Sequence, residues 1–274
     1  MRRVVAHLTV IVAAGACSQP GVALRYQFPE GRDLNYRWRI LAETTSEAAG
    51  EQVTHRLSMA LDVREEVLAR TKGGGGRLRM VLEPRSVEED GVQSRPGPPL
   101  ELELEVGPTG RVEKVLQAAD LPPEAVTALE LERLLSESRP PLPGKSVRLD
   151  EPWAVPLVSR GKVNKIDLKG QGRLVGFGLS GGRKIARLKI DRRGTVTSEQ
   201  PTGWLGPNGS SGGGGRVLLE GTSSVRSTAS LDLDAGLLVS ARSRARSTFD
   251  VTLDQAKEAG KLRVVLDTRV DLVS

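Results

Sequence analysis

The sequence predicts a mostly β protein, a curved, half-barrel-like antiparallel sheet with one main helix. Apolar and polar residues alternate with a period of two through most of the chain, which is typical of strands with one buried and one solvated face. Glycine-containing turns separate the alternating runs. One segment, 120–138, instead carries apolar residues at the spacing of a helix.

The clearest predicted strand is 101–106, where Glu alternates with Leu and Val. The turn at 107–110 joins it to a strand at 111–116, and the turn at 234–236 joins 231–233 to 237–240 as a second hairpin. Other alternating runs lie at 35–42, 56–64, 166–168, 185–190, 217–219, 249–253 and 262–266.

The helix begins at Asp120, an N-cap residue followed by two prolines that fit the first turn. The proline-rich stretch 139–144 ends it. Each side of this stretch carries several strands and a glycine hairpin. The β-rich domain at 24–274 therefore has an internal boundary here, with two similar halves expected at 24–138 and 145–274.

The N-terminus has the pattern of an export signal. Arg2 and Arg3 precede an uncharged, mostly apolar run at 4–13, and small residues lead to Cys17, the only cysteine of the 274 residues. We predict a signal peptide at 1–16, lipidation of Cys17 and a short tether at 17–23. The alternative is an ordinary secretory signal cleaved after Ala16, because Ala14 stands where lipoprotein leaders usually have Leu.

These features predict a protein held at a membrane through its N-terminal lipid. Several acyl chains on one cysteine hold a protein firmly to a bilayer, whereas the apolar run at 4–13 is shorter than the roughly 20 residues that span one. The predicted location is therefore the bacterial cell envelope. Ser18 favours the outer membrane, facing the periplasm, in an organism with two membranes.

Composition limits the classes of partner and the kind of core. Aromatic residues make up 3% of the chain, so the core must be mainly aliphatic. Loss of Arg2 and Arg3 with the leader reduces the formal charge of +6 by two. This modest positive balance favours anionic partners such as lipid head groups, and we expect no nucleic-acid binding because no nucleic-acid motif is present.

The sequence offers no constellation of catalytic or metal-binding residues. His55 is the one histidine after the leader, which leaves no histidine pair for zinc and a single candidate base for a nucleophile triad. The Gly-rich stretches at 73–76 and 206–215 lack the strand, helix and Lys-Ser/Thr context of a phosphate loop. We therefore expect no cofactor, no metal and no enzymatic activity; a carboxylate-based hydrolase is the least favoured alternative.

One polar pattern could carry binding. Arg242, Arg244 and Arg246 occupy alternate positions of a predicted strand, and so share one face over roughly 13 Å. The opposite face carries small residues at 241–247 that leave room for a helix or a ligand. The arginines predict an anion-binding row, for lipid phosphates or acidic glycans. The alternative is a solvated outer face whose charges discourage edge pairing.

The order of short motifs resembles a family of bacterial envelope lipoproteins of unknown function. The motifs are two aromatic-x-aromatic pairs, 26–28 and 36–38, on either side of Gly31, then Gly110-Arg111-Val112, a Leu-Pro-Pro helix start at 121–123, and Leu142-Pro143-Gly144 followed by Trp153. An Asp-x-x-x-Gly turn at 232–236 completes the order. The resemblance implies architecture and location and no activity. By fold type, the chain is also similar to the half-barrels of periplasmic lipoprotein and lipid carriers.

The leading functional hypothesis is a non-enzymatic envelope lipoprotein that binds a lipid or another envelope component along a curved apolar sheet. A large apolar concavity would favour this hypothesis, whereas a dry aliphatic core would count against a carrier role. The alternative is a structural or protein-interaction lipoprotein without a ligand cavity.

Overall fold

The computed structural model of the chain describes residues 21–48, 50–119, 139–160, 164–201, 216–253 and 256–273. Every helix or strand in these ranges is a strand, so the mostly β class is confirmed and the one main helix is not seen there. The segment predicted as that helix, 120–138, lies outside the described residues, as do the leader, Cys17 and most of the tether.

The strands vary from 2 to 20 residues, and short strands lie at both edges of the sheet. Their bounds are β1 Val22–Ala23, β2 Asp33–Ala48, β3 Glu51–Arg70, β4 Gly76–Glu89, β5 Val92–Ser94, β6 Leu100–Val106, β7 Val112–Ala118, β8 Ser146–Val147, β9 Pro152–Ala154, β10 Leu157–Arg160, β11 Asn164–Ser180, β12 Arg183–Pro201, β13 Arg216–Asp232, β14 Leu237–Leu253 and β15 Ala256–Leu272. Both predicted hairpins form, between β6 and β7 and between β13 and β14.

One antiparallel sheet contains 13 of these strands, in the order β10-β11-β12-β13-β14-β15-β2-β3-β4-β6-β7, with β9 beside β11 and β5 beside β4. The remaining two strands, β1 and β8, pair with each other. The first long strand, β2, pairs with the last, β15. The chain on either side of 139–144 therefore forms one continuous sheet; the similarity of the two halves stays a prediction.

The apolar side chains of the long strands lie on one face, which we call the inner face; the other is the polar face. A single cluster of buried residues on the inner face joins strands that are far apart in the sheet. It includes Met80 and Leu104 from β4 and β6 together with Leu174 and Leu188 from β11 and β12, each at most 2% exposed. A flat sheet could not bring these strands together, so the sheet curves around a shared core.

The residues before β2 cover one end of this core. The backbone N–H of Tyr26 donates to Pro108 O in the β6–β7 turn (2.9 Å), and that of Gln27 donates to Gly236 O in the β13–β14 turn (3.0 Å). Gly110 has φ +86°, and a Cβ there would lie 2.3 Å from the Tyr26 ring, so both the turn and the ring require glycine. We call this end of the sheet the closed end.

A buried ion pair fixes the chain after 120–138 to the inner face. Arg139 Nη2 donates to Glu65 Oε2 on β3 at 2.5 Å, and both side chains are 6% exposed. Burial is the largest influence and lowers the pKa of Arg139, but Glu65, Tyr36 and Tyr26 together raise it by more, so the pKa is raised overall and the guanidinium stays charged. The hydroxyl of Tyr26 donates to the neighbouring Pro140 O at 3.1 Å, which adds the N-terminal segment to the same contact.

Arg139→Ala is expected to lower the free energy of unfolding by about 3–5 kcal/mol, because it leaves the Glu65 carboxylate buried without its partner. The double substitution Glu65→Leu with Arg139→Met removes both charges and should cost less than the single change. Urea unfolding followed by tryptophan fluorescence measures both. A single variant as stable as the parent would contradict the role given to this pair.

Candidate anion-binding groove

The structure places Arg242, Arg244 and Arg246 on the polar face of β14, with all three side chains exposed. Strand β14 pairs with β13 on one side and β15 on the other. It is an interior strand, so protection of a sheet edge cannot explain these arginines. The inner face behind them carries the predicted small residues, and Ser243 and Ser247 hydrogen-bond across to Ser227 and Ser223, each at 2.9 Å.

Arg242 and Arg244 line an open groove of about 1190 Å³ on the polar face. Its residues come from seven neighbouring strands, β11 to β15, β2 and β3. Strands this long twist strongly, and a twisted sheet is saddle-shaped, so its polar face is concave along one diagonal. Arg246 lies two residues further along β14 and does not line the groove.

The groove is strongly basic. Its lining includes two half-buried acids, Asp191 and Asp267, and eight cationic residues whose side chains lie on the polar face: Arg39, Lys169, Lys189, Arg193, Arg226, Arg242, Arg244 and Arg269. The two carboxylates are shared: Asp191 lies 3.4 Å from Lys189 and 3.8 Å from Arg226, and Asp267 lies 3.3 Å from Arg244. Asp271, outside the lining, accepts from Arg269 Nε at 2.6 Å, so eight cations face three acids that could neutralise them.

The sheet register places like charges directly opposite each other. Arg269 on β15 is the direct partner of Arg39 on β2 and of Arg242 on β14. Arg226 is opposite Arg244, and Lys169 is opposite Arg193. Such cross-strand pairs of like charge destabilise a sheet. A ligand with several negative charges would relieve this repulsion, since guanidinium groups bind phosphate and carboxylate through paired hydrogen bonds.

A second concavity, of about 1070 Å³, continues along the polar face from Leu41 and Ser58 towards the β2–β3 turn. Its charges are mixed, with Glu43, Glu47, Glu88 and Asp90 balanced against Arg56, Lys261 and Arg263. At its rim, His55 Nδ1 lies 2.8 Å from Asp90 Oδ2, and the backbone N–H of Arg56 donates to Asp90 Oδ1 at 2.7 Å. These hydrogen bonds hold the β4–β5 turn against β3.

The inner face is packed at the closed end. Met80, Leu104 and Leu174 are each 0% exposed within the shared core. A second apolar cluster lies towards the other end of the strands and contains Val217, Leu219, Phe249 and Leu262. Small residues such as Ser223, Ser227 and Ala245 lie between the clusters. The two clusters are filled by the protein's own side chains, whereas Ser227 and Ala245 between them are half-buried.

Within the described ranges, no three His, Cys, Asp or Glu side chains cluster so as to hold a metal ion. No helix among the described residues is long and apolar enough to cross a membrane.

Sequence reasoning identified Arg242 and Arg244 but missed the cations that face them, above all Arg39, Arg226 and Arg269. Each of these alternates with less polar residues in its own strand, so an outward orientation was predictable. Their meeting was not, because register between strands far apart in sequence depends on the packed sheet.

No protein-family model matches the chain, and no curated protein matches it. Among solved structures, it is similar to DynF from the dynemicin biosynthesis pathway of Micromonospora chersina, with 11% sequence identity over 99% of this chain and 92% of that one. The TM-score is 0.23, which supports no argument from that protein to this one.

The pKa of the Asp90 carboxyl is lowered, first by the backbone N–H of Arg56 and then by the hydrogen bond with His55. A lowered pKa means that this contact stabilises the fold fully above the ordinary carboxyl pKa, about 3.9, and is lost as the pH falls through the lowered value. NMR titration of the Asp90 carboxyl should give a midpoint below that ordinary value, and His55→Ala should raise it. A midpoint at or above the ordinary value would contradict this assignment.

Proposed function

We propose that this protein is an exported envelope lipoprotein, anchored through Cys17, that binds an anionic envelope component in the basic groove without catalysing a reaction. In an organism with two membranes, Ser18 favours the outer membrane, facing the periplasm. The observation that carries the binding proposal is the register that opposes Arg39, Arg269 and Arg242 across three adjacent strands.

A multivalent anion is the ligand class that fits this groove. Its cations are exposed and separated by about 5 Å across strands and about 7 Å along them, so several could contact neighbouring phosphates or carboxylates at once. Within the groove, Arg244 pairs with Asp267 and Arg226 pairs with Asp191, so guanidinium groups there already contact carboxylate oxygens. Phospholipid head groups and acidic glycans both have this chemistry.

The inner face is a weaker candidate for a lipid-carrier site. An apolar ligand at the closed end would have to displace side chains such as Leu104 and Leu188, which are at most 2% exposed. We place the helix predicted at 120–138 against the sheet, as part of the half-barrel-like architecture. The buried attachment of Arg139, directly after that segment, supports this arrangement.

The triple variant Arg242→Gln, Arg244→Gln and Arg246→Gln should bind inorganic polyphosphate about tenfold to a hundredfold more weakly at low salt, since two groove guanidiniums lose charge-assisted hydrogen bonds. Calorimetry with polyphosphate and sedimentation with phosphatidylglycerol vesicles separate a soluble anion from a lipid head group as the source. Raising the salt concentration should weaken binding by the parent chain.

The matched control is Arg64→Gln, Arg79→Gln and Arg216→Gln, which removes the same charge from arginines paired to carboxylates outside the groove. This variant should bind nearly as tightly as the parent. Equal binding by the parent and the Arg242/Arg244/Arg246 variant at low salt would overturn the groove as an anion site. Equal losses in the two triple variants would reduce it to a net-charge effect.

A structural or protein-interaction role is the second candidate, and exposed backbone at the sheet edges favours it. Among the described residues, β11 beyond Leu174 has a strand partner on one side only. Such edges can accept a strand from another protein. A parent chain that binds no polyanion but co-purifies with one envelope protein at fixed stoichiometry would favour this candidate.

Cys17→Ser should release the protein from membranes into the soluble fraction of cells, because the thiol that would carry the acyl chains is lost. Intact mass spectrometry of the purified parent chain should show diacylglyceryl modification at an N-terminal Cys17. An unmodified N-terminus beginning after Ala16 would instead establish the ordinary secretory signal.

A further inference from the structure

The hairpin between β11 and β12 exposes apolar side chains at the closed end of the sheet. Val175, Phe177 and Leu179 are 43%, 48% and 78% exposed. Val175 lies at a β-bulge, and the register after it places Phe177 and Leu179 on one side of β11, opposite Ala186 and Lys184. We call residues 175–184 the apolar hairpin. Strand β9 pairs with β11 only as far as Arg173, so no strand among the described residues covers this edge of the hairpin.

Cations lie on both strands of the apolar hairpin and after its turn, with Arg173 and Arg187 on the opposite side of the strands from Phe177. Arg173 and Arg187 are exposed on the two strands of the hairpin, and Arg183 and Lys184 follow its turn. The nearby acids are in the β13–β14 turn: Asp232 lies 3.9 Å from Arg183, and Asp234 lies 3.7 Å from Lys184. Leu and Phe bordered by Arg and Lys are typical of segments that enter the interface of a bilayer with anionic lipids.

The apolar hairpin lies at the end of the sheet where the N-terminal chain leaves the structure. Val22 on β1 pairs with Val147 on β8, and two residues later Leu149 bridges to Leu174, directly before the hairpin. The described chain begins at Gly21, four residues after Cys17. Four residues of chain span at most about 14 Å. A lipid on Cys17 would therefore bring a membrane to this end of the sheet.

We propose that the apolar hairpin inserts into the surface of an anionic phospholipid bilayer, as a second contact beside the lipid on Cys17. Leu179 and Phe177 enter the boundary between head groups and acyl chains, while Arg173 and Arg187 contact lipid phosphates. This inference rests on the membrane tether of the proposed function. Two contacts fix the long strands relative to the bilayer, so the basic groove is held at a set height and orientation.

The chain with Cys17→Ser has no cysteine, so it can carry a single fluorescent label of known position. One variant adds Leu179→Cys. The matched control adds Val92→Cys, because Val92 is 68% exposed and lies in the β4–β5 hairpin at the other end of the sheet. Both are labelled with an environment-sensitive dye and mixed with vesicles of phosphatidylcholine and phosphatidylglycerol.

At position 179 the dye should increase severalfold in emission and be quenched by lipids with a nitroxide on the acyl chain, whereas the dye at 92 should show neither effect. Without a label, Phe177→Ser with Leu179→Ser should weaken vesicle partitioning at least about tenfold, because apolar surface that enters the bilayer is lost. Val92→Ser should leave partitioning unchanged.

A dye at 179 that ignores vesicles to which the chain is bound would overturn the proposal, as would equal changes at 179 and 92. A dye at 179 that responds to protein concentration without vesicles would show contact between copies of the chain and would also overturn it. Polyphosphate binding tests the groove independently of the apolar hairpin. The variant Phe177→Ser with Leu179→Ser should bind polyphosphate as tightly as the parent chain. If the parent chain does not bind polyphosphate but the dye at 179 responds to vesicles, the groove as an anion site is overturned and the membrane contact of the apolar hairpin stands.

Discussion

The structure depends on one aliphatic core that is shared by distant strands of a single sheet. Leu78 and Leu102 from one side and Leu174 and Leu188 from the other are almost fully buried in the same cluster. The chain has a single cysteine and few aromatic residues, so packing and strand ladders must supply its stability. Several of its aromatic residues, including Tyr26, Phe28, Trp38 and Trp153, are in this cluster, where large side chains fill space between curved strands.

The core also explains why arginines lie opposite each other on the polar face although their charges repel. Because side chains alternate along a strand, a slip of one residue between β14 and β15 would separate Arg242 from Arg269 but would also turn Val270 and Leu262 away from the core. Burial of apolar side chains therefore fixes the register, and the register fixes the arginines opposite each other. Electrostatic repulsion between the arginines disfavours this arrangement. The basic groove is therefore a consequence of burial in the core.

The sequence was a good guide to what repeats locally. Alternation located most of the long strands, and glycine turns located the hairpins at 107–110 and 234–236, because both signals lie within a few residues. It also identified the outward face of Arg242 and Arg244. The pairing of β2 with β15, the attachment of Tyr26 beneath two hairpin turns and the Glu65–Arg139 ion pair went unpredicted. Each joins residues far apart in the chain, and no local pattern records such contacts.

By itself, then, the sequence determined where most of the long strands lie, which of their faces is apolar, and that one cysteine follows a leader-like segment. The tertiary structure alone decided which strands are neighbours, and thereby gathered Arg39, Arg226, Arg242 and Arg269 into one groove and left the apolar hairpin exposed at the end where the N-terminal chain emerges. The physical reason is that face orientation follows from a period of two along the chain, whereas neighbourhood across a sheet follows from the burial of a core to which the whole domain contributes.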